Sequence, residues 1–158
     1  MRSVYVLSLV VAIALGGGYN LLANLGLDSV PEDAHFTPEQ LCEKYGYPFE
    51  THNVTTDDGY ILTLFRIKHG KEAKKADKVV FLQHCLLCSA HGFLAAGPEK
   101  ALAYRMADAG YDVWMGNSRG SYFSRAHISK SPEQAAYWDF TWAEMGRYDV
   151  PANINYVK

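Results

Sequence analysis

The feature that most constrains the fold is an apolar run at residues 79–82 that ends abruptly in polar residues. A helical pattern over residues 97–110 and a second strand pattern over residues 111–115 follow it. A buried strand, a helix and another strand in this order predict a βαβ crossover, and so a parallel pair in an α/β sheet. Because ligands bind at the carboxyl ends of such strands, chemistry is expected first in the loop at residues 84–92.

The crossover helix has recognisable end signals. Pro98 suits its first turn, and Gly110 closes it. Helical spacing predicts a buried face made of Leu102, Met106 and Ala109. After the second strand pattern, residues 121–140 form a long connection that contains aromatic residues.

The C-terminal end is predicted to be helical. Thr141 and Glu144 fit a capping box, and a further helix begins near Asp149 as N-cap. The expected buried face of that helix carries Val150, Ile154 and Val157. No stop signal follows, so the helix is expected to be cut off at Lys158 rather than ended.

The segment before the crossover predicts a short helix and a hairpin. The helix begins at Thr37-Pro38 and ends at Gly46. Strand patterns over residues 49–55 and 60–67 flank Asp57-Asp58-Gly59, which is a strong hairpin turn signal. The lysine-rich stretch at residues 68–78 is interpreted as a solvated loop.

Composition limits the function classes. The 158 residues are 49% hydrophobic, enough for one domain with a core. A net charge of −2 gives no electrostatic reason to expect nucleic acid as a partner. The oligomeric state stays open.

The first 18 residues are predicted to be a signal peptide. Arg2 precedes an uncharged run at residues 4–15, and small residues at 12–18 offer cleavage sites. The run is too short for a transmembrane span, which needs roughly 20 residues; an uncleaved apolar N-terminus is the alternative. A mature N-terminal arm is expected at residues 19–36. This route into the secretory pathway predicts glycosylation at Asn53, in the sequon Asn53-Val54-Thr55.

The cysteines and histidines predict neither a metal site nor a cofactor. Three cysteines leave at least one thiol over, so Cys42, Cys85 and Cys88 do not form a disulfide framework. The C-x-x-C spacing at Cys85 and Cys88 lacks a thioredoxin-like context, and it is interpreted as coincidence, with any pairing left open. No zinc-ligand spacing is present among the histidines.

The motif Gly116-Asn117-Ser118-Arg119-Gly120 matches the G-x-S-x-G pattern of a nucleophile elbow. An elbow needs a helix directly afterwards, and residues 121–127 have no helical period. Arg119 is also awkward in so tight a turn. The one later histidine, His127, lies in the same connection without a separate acid-bearing loop. Ser118 is therefore predicted to be a decoy.

Two further groups invite a functional interpretation. His84, at the end of the apolar run, has the position of a general base, but a structural histidine that bonds its own loop is favoured. The group of Trp138, Asp139, Trp142 and Tyr148 is interpreted as core or as the wall of a ligand cavity.

Several blocks together resemble the acid lipase family, which includes the gastric and lysosomal acid lipases and their insect relatives. They are residues 47–62, 80–84, 97–104, 107–114, 116–120 and 148–152. The resemblance implies an incomplete α/β-hydrolase fold, with the N-terminal strands and the first βαβ unit of a mainly parallel sheet. Residues 37–158 would form the N-terminal part of such a lipase domain, in a secreted or lysosomal protein.

The resemblance also implies a site. The family hydrolyses triacylglycerols or sterol esters, so a lipid ester substrate or bound lipid is the expected partner. One oxyanion N–H would come from Leu86, in a loop with His84, Cys85 and Leu87. The family has a glycine at the position of Cys85, and a Cβ there is expected to strain the loop by about 1–3 kcal/mol if the backbone requires positive φ.

The resemblance assigns no catalytic residue to this chain, because the family's nucleophile, acid and histidine would follow Lys158. The chain alone is therefore expected to be inactive. Three explanations stay open: a fragment of an active lipase, a short secreted protein that binds lipid or a partner without catalysis, or a degenerate copy.

Overall fold

The structure is a computed structural model that describes residues 32–72, 76 and 78–158. The chain divides into two units, residues 1–35 and 36–158, and the described part of the first is a 3-10 turn, Glu32–His35. The signal peptide predicted for residues 1–18 lies outside the described residues, as does most of the arm predicted for residues 19–36. Within the described part, no helix has both the length and the apolarity that crossing a membrane requires.

Helix α1 (Pro38–Tyr45) begins and ends at the predicted residues. The Thr37 hydroxyl accepts the N–H of Gln40 at 3.2 Å, and the Gln40 side chain accepts the N–H of Thr37 at 2.9 Å. Gly46 ends the helix with a φ of 75°, a left-handed conformation that glycine adopts at no steric cost. Both end predictions are confirmed.

An antiparallel hairpin follows α1. Strands β1 (Glu50–Thr55) and β2 (Tyr60–Ile67) pair so that Glu50 lies opposite Arg66. Gly59 completes the turn with a φ of 95°. The Asp57-Asp58-Gly59 signal therefore predicted the hairpin correctly.

The predicted βαβ crossover is also present. Strand β3 (Lys78–Gln83) leads through helix α2 (Leu102–Asp108) to strand β4 (Tyr111–Gly116), and the two strands are parallel. The prediction that β3 is buried is wrong, since Val79 is 54% exposed. Within the described chain β3 pairs with β4 alone, so its outer edge is open.

Helix α2 is shorter than predicted and presents another face. Ala101, with extended backbone angles, precedes its first turn, so Pro98 lies outside the helix. The predicted buried face is wrong, because Leu102 is 45% exposed. The buried residues are Ala103, Tyr104 and Ala107. Tyr104 sets this orientation by packing against Tyr47, with ring centroids 4.5 Å apart.

The sheet is mixed, in the order β1-β2-β4-β3, and the short strand β5 (Ala126–His127) pairs with the start of β2. Alternate residues of its central strands point into two separate cores. One core contains Phe65, Ile67, Val113 and Met115 with residues of α1 and α2. The other contains Leu62, Leu64 and Trp114 with Tyr137.

The C-terminal segment is one run of helix rather than two. Helix α3 (Trp142–Glu144), a π turn (Met145–Asp149) and helix α4 (Val150–Val157) are continuous. The Thr141 capping box is confirmed. The N-cap predicted at Asp149 is wrong, because this residue has helical angles and makes no capping bond.

The predicted buried face of α4 is only partly correct, since Val157 packs against the core that contains Tyr137 whereas Ile154 does not. Asn153 is its buried residue, and Ile154 is 39% exposed. The π turn adds a residue per turn just before α4, which rotates the face that a continuous α-helical period would have buried.

Candidate functional site

The carboxyl ends of β3 and β4 lie side by side, since Gln83 pairs in register with Gly116. Each strand end carries a segment: the cysteine loop (residues 84–88) after β3 and the arginine turn (residues 117–120) after β4. Between them is an open hollow of about 480 Å³, which we call the strand-end hollow. Its lining is mostly apolar and includes Leu86, Leu87, Trp138, Phe140, Trp142 and Met145.

The cysteine loop carries the residue predicted to donate to an oxyanion. Leu86 lines the hollow and is 69% exposed. Within the described chain, no acceptor takes a hydrogen bond from its backbone N–H. Leu87 is 98% exposed, with a φ of 59° that makes it the one described non-glycine residue in the left-handed region. Such conformations cluster at functional sites.

A disulfide closes the cysteine loop. Cys85 and Cys88 are bonded, with Cα atoms 5.4 Å apart, so the interpretation of their spacing as coincidence is wrong. Two intervening residues in a turn bring the two Cα atoms within disulfide range. The positive φ that the family's glycine suggested for Cys85 occurs instead at Leu87.

Cys42 is the remaining thiol, as an odd count requires. It is fully buried beside Tyr104, and burial raises its pKa to about 12 against the smaller effect of the Tyr104 hydrogen bond. A thiol with so high a pKa is unreactive at neutral pH.

His84 joins the two segments. Its Nε2 accepts the backbone N–H of Ser118 at 3.0 Å, which leaves Nδ1 to donate to the Cys85 carbonyl at 2.8 Å. Both ring nitrogens are therefore used by backbone groups. The bond to its own loop is the one expected of a structural histidine.

Ser118 is not brought together with a histidine base. Its hydroxyl oxygen accepts from the Gln83 amide at 3.0 Å, and no described histidine nitrogen bonds that oxygen. In β5, His127 contacts the Asp58 carbonyl through Nε2 at 3.1 Å and accepts the Ser129 N–H through Nδ1 at 3.0 Å. The G-x-S-x-G match thus has no catalytic pair around it.

Arg119 is the residue whose importance the sequence concealed. It is 1% exposed and binds two carboxylates, Asp58 in the hairpin turn and Asp149 in the π turn. The nearest of these contacts, to Asp58, is 2.6 Å, and the guanidinium lies 3.9 Å from the centre of the Tyr60 ring. One side chain thus connects three separate segments beside the strand-end hollow.

Burial and pairing oppose each other in this triad. Burial disfavours the charged form of Arg119, but hydrogen bonds to Asp58 and Asp149 outweigh it and raise the pKa. Burial raises the pKa of Asp58, and the Arg119 bonds outweigh this too, so the pKa falls below its ordinary value. At the more deeply buried Asp149, desolvation is the larger effect, and its pKa is raised.

Asn117 fixes the start of the arginine turn. The residue is fully buried, and its amide donates to the Thr63 carbonyl at 3.0 Å. Its side-chain oxygen accepts the Ala90 N–H at 2.9 Å, just beyond the cysteine loop. Together with His84, it anchors both ends of the cysteine loop to the arginine turn.

Of the group predicted as core or cavity wall, Trp138 and Trp142 belong to the wall of the hollow. Trp138 is 43% exposed and Trp142 is 74% exposed, and both line the hollow. Asp139 is also exposed, and Tyr148 is partly buried near Arg119.

The predicted glycosylation site lies away from the hollow. Asn53 is exposed on β1, where its side-chain oxygen accepts the Thr63 hydroxyl at 3.3 Å. Over the residues that the structure describes, no group of three or more histidine, cysteine or acidic side chains is placed to hold a metal ion.

Comparisons with known proteins agree with this architecture. A family model for a partial α/β-hydrolase lipase region matches residues 38–97. Lipase member K of Mus musculus is 48% identical over 79% of this chain and 32% of its own length. Lipase 1 of Drosophila melanogaster is 45% identical over 82% of this chain and 28% of its own. Gastric triacylglycerol lipase of Rattus norvegicus is 43% identical over 90% of this chain and 36% of its own length.

The chain is therefore similar to lipases of the α/β-hydrolase class, over residues 38–97 by the family model and over most of its length by these relatives. It spans about a third of the length of the curated relatives named above. An esterase structure from Pyrococcus furiosus is 17% identical over 78% of this chain and 39% of its own, with a TM-score of 0.44. The mixed sheet with its βαβ unit corresponds to part of an α/β-hydrolase fold.

Proposed function

We propose that a protein containing this chain hydrolyses carboxylic esters of lipids, of the triacylglycerol or sterol ester class. The observation that carries the proposal is the Leu86 N–H, which lies at the carboxyl end of a parallel strand beside an apolar hollow and meets no acceptor in the described chain. The names of the related lipases support the same chemistry.

In this proposal the cysteine loop stabilises the tetrahedral intermediate of ester cleavage. The Leu86 N–H donates to the oxyanion that forms when a nucleophile attacks the ester carbonyl. His84, Cys85 and Leu87 position that N–H, because His84 anchors the loop to Ser118. The apolar wall with Trp138 and Trp142 receives the acyl chain.

The nucleophile, acid and histidine base are not assigned to these 158 residues. Ser118 bonds Gln83, and His84 and His127 use their ring nitrogens on backbone groups, so none of them forms a charge-relay pair. The chain alone is therefore proposed to be inactive, and whole-protein activity requires groups beyond it.

The proposed compartment is the secretory route, ending in secretion or the lysosome. It rests on the signal-peptide pattern at residues 1–18 and on the similarity to gastric triacylglycerol lipase. The exposed Asn53 side chain would carry a glycan there. Expression through a secretory pathway should give a product that glycosidase treatment shortens, and Asn53→Gln should abolish that shift.

A non-catalytic protein that binds lipid or a partner is the second candidate. The observation that favours it is the apolar exposure around the hollow, where Leu87 is 98% and Trp142 74% exposed. Contiguous exposed apolar surface marks binding sites. Such a protein would bind a fluorescent fatty acid at the hollow and turn over no ester.

A graft tests the catalytic proposal directly. Residues 38–158 replace the matching part of Lipase member K, and kcat is measured on a p-nitrophenyl ester. Leu86→Pro removes the proposed donor and should lower kcat about 100- to 1,000-fold. Leu86→Ala keeps the N–H and should retain activity.

The same assay defines what would contradict the proposal. An active graft that tolerates Leu86→Pro would remove the oxyanion role. The 158-residue chain should show no hydrolysis by itself. Hydrolysis by that chain which Ser118→Ala abolishes would make Ser118 the nucleophile after all.

A further inference from the structure

The disulfide of the cysteine loop is open to solvent. Cys85 and Cys88 are both exposed and three positions apart, and between them lie Leu86 and Leu87. Exchange with an external thiol needs access to a sulfur atom. An exposed bond that encloses a proposed oxyanion donor is a place where redox chemistry can reach the site.

We propose that Cys85–Cys88 is a thiol–disulfide exchange site at which a dithiol reductant opens the cysteine loop and withdraws the Leu86 N–H from the strand-end hollow. The proposal rests on the function proposed above, since it assigns a means of control to that same site.

The chemistry is a two-step exchange. A thiolate of the dithiol attacks one of the two cysteine sulfurs, the Cys85–Cys88 bond breaks, and the other cysteine leaves as a thiolate that takes up a proton. The second thiol of the reductant then attacks the mixed disulfide and releases the remaining cysteine. The cysteines gain two electrons, and the dithiol becomes a disulfide.

Leu87 couples the bond to the shape of the loop. Its φ of 59° is one that a leucine rarely adopts without external constraint. The constraints on it are the disulfide and one turn hydrogen bond, from the Cys88 N–H to the Cys85 carbonyl at 3.2 Å. Its side chain is 98% exposed, so packing contributes little to holding it. Opening the bond lets Leu87 relax to negative φ. This turns the peptide between Leu86 and Leu87 and so displaces Leu86, whose own N–H belongs to the peptide before it.

The change is confined to the loop because both of its ends are anchored elsewhere. Before it, His84 accepts the Ser118 N–H at 3.0 Å. After it, the Ala90 N–H donates to Asn117 at 2.9 Å in a fully buried contact. Reduction therefore leaves the sheet and the arginine turn in place.

Cys42 provides an internal control. Its side chain is fully buried in the core, at 3.9 Å from the Tyr104 hydroxyl. A reagent that reaches only accessible thiols should distinguish it from Cys85 and Cys88 as long as the chain stays folded.

The first test titrates the chain, as secreted by the expressing cells, with dithiothreitol, caps free thiols with N-ethylmaleimide and locates them by peptide mass spectrometry. We expect Cys85 and Cys88 to be capped together, Cys42 to stay uncapped, and the circular dichroism spectrum to stay constant. Free Cys85 and Cys88 before reduction, or capping of all three cysteines together, would overturn the proposal.

The second test follows the backbone by NMR. The chemical shifts of Leu87 should indicate a left-handed residue when the bond is closed and lose that signature on reduction, while Ser118 and Ala90 keep theirs. Leu87→Gly is the matched variant, because glycine adopts this φ without the bond. Its reduction should move the Leu86 amide resonance less than in the parent chain, and an equal movement would refute the coupling through Leu87.

A third measurement separates this proposal from the function on which it rests. In the grafted lipase, the double change Cys85→Ser and Cys88→Ser should lower kcat about tenfold through lost positioning of the donor and remove any response to dithiothreitol. If an active graft keeps the same kcat after the double substitution and after treatment with dithiothreitol, the proposed redox control is refuted, whereas the proposed function is not. An inactive graft would count against the function, whereas the two tests above use no ester.

Discussion

The cysteine loop and the arginine turn end neighbouring parallel strands, yet they are stabilised in opposite ways. The cysteine loop is closed by a bond between residues three positions apart, and its apex is exposed. In the arginine turn, Arg119 is 1% exposed and bonds residues 61 and 30 positions away. One segment takes its shape from local covalent closure and the other from long-range charge pairing.

The difference separates two kinds of sensitivity. A change in the arginine turn removes contacts that join the hairpin, β4 and the C-terminal helices, so it should alter the free energy of unfolding. A change at the apex of the cysteine loop touches little else, so it should alter local geometry alone. Substitutions in the two segments test this difference.

Arg119→Met should have the largest effect. It leaves Asp58 and Asp149 without their shared cation, and breaking a buried pair in this way costs about 3–5 kcal/mol. Urea denaturation measures the loss. Arg66→Met is the control, since Arg66 pairs with Glu50 and Asp112 but is 24% exposed, and it should cost about 1 kcal/mol. Equal losses from the two changes would contradict the contrast.

Asp58→Asn should cost about 2 kcal/mol at neutral pH, because one of the two Arg119 partners becomes neutral. Burial raises the pKa of Asp58, but the Arg119 hydrogen bonds outweigh it and lower the pKa. A lowered pKa gives stability that is present above the unfolded value, about 3.9, and is lost as the pH falls below it. The difference in the free energy of unfolding between the parent chain and Asp58→Asn, measured in urea, should therefore disappear on acidification. A difference that does not depend on pH would refute the pairing.

Gly120→Ala and Gly46→Ala form a matched pair. The two glycines have φ values of 76° and 75°, so both substitutions carry a similar left-handed penalty of about 1–2 kcal/mol. A Cβ at Gly120 would come within 2.9 Å of Trp138 and 3.0 Å of Phe140, whereas at Gly46 nothing lies within 4 Å. Thermal unfolding should show a further loss of about 1 kcal/mol for Gly120→Ala. Indistinguishable melting temperatures would mean that Trp138 and Phe140 move aside without a measurable cost in stability.

Leu87→Gly should have the smallest effect. Relief of the left-handed leucine and the greater chain entropy of glycine oppose each other, so the free energy of unfolding should change by less than about 1 kcal/mol. The 98% exposed side chain loses almost no packing. A loss above about 2 kcal/mol would show that the loop apex contributes to the core.

Local sequence signals predicted the first half of the fold well. Thr37 and Gly46 defined α1, and Asp57-Asp58-Gly59 defined the hairpin, because each signal acts on residues within a few positions. The order of strand, helix and strand sufficed for the parallel pair. The position of the strand-end hollow follows from that pairing.

The arginine turn escaped prediction because its determinants are distant. The local sequence indicates that Arg119 is an awkward neighbour of Ser118 and that Asp149 is a helix cap, yet the two side chains bind each other. Nothing in the sequence around Arg119 indicates that a hairpin turn 61 residues earlier will meet it. Paired charges become visible only when the sheet has brought their segments together.

The predictions of which face of α2 and α4 is buried were at most partly correct, for a related reason. The face of α2 is set by the packing of Tyr104 on Tyr47, and the face of α4 is set by the π turn before it. Periodicity gives the spacing of a face but not its rotation about the helix axis. Only contacts with the neighbouring layer fix that rotation.

Because Arg119 is the shared counter-charge of Asp58 and Asp149, substitutions at these three positions are expected to be coupled during evolution. Loss of the arginine alone would leave two acids facing each other in the interior, and loss of either acid would weaken the tie to the other. Among related sequences, Asp58, Arg119 and Asp149 should therefore be replaced together, for example by three apolar residues, rather than one at a time. Three positions scattered along the chain would then vary as if they were adjacent.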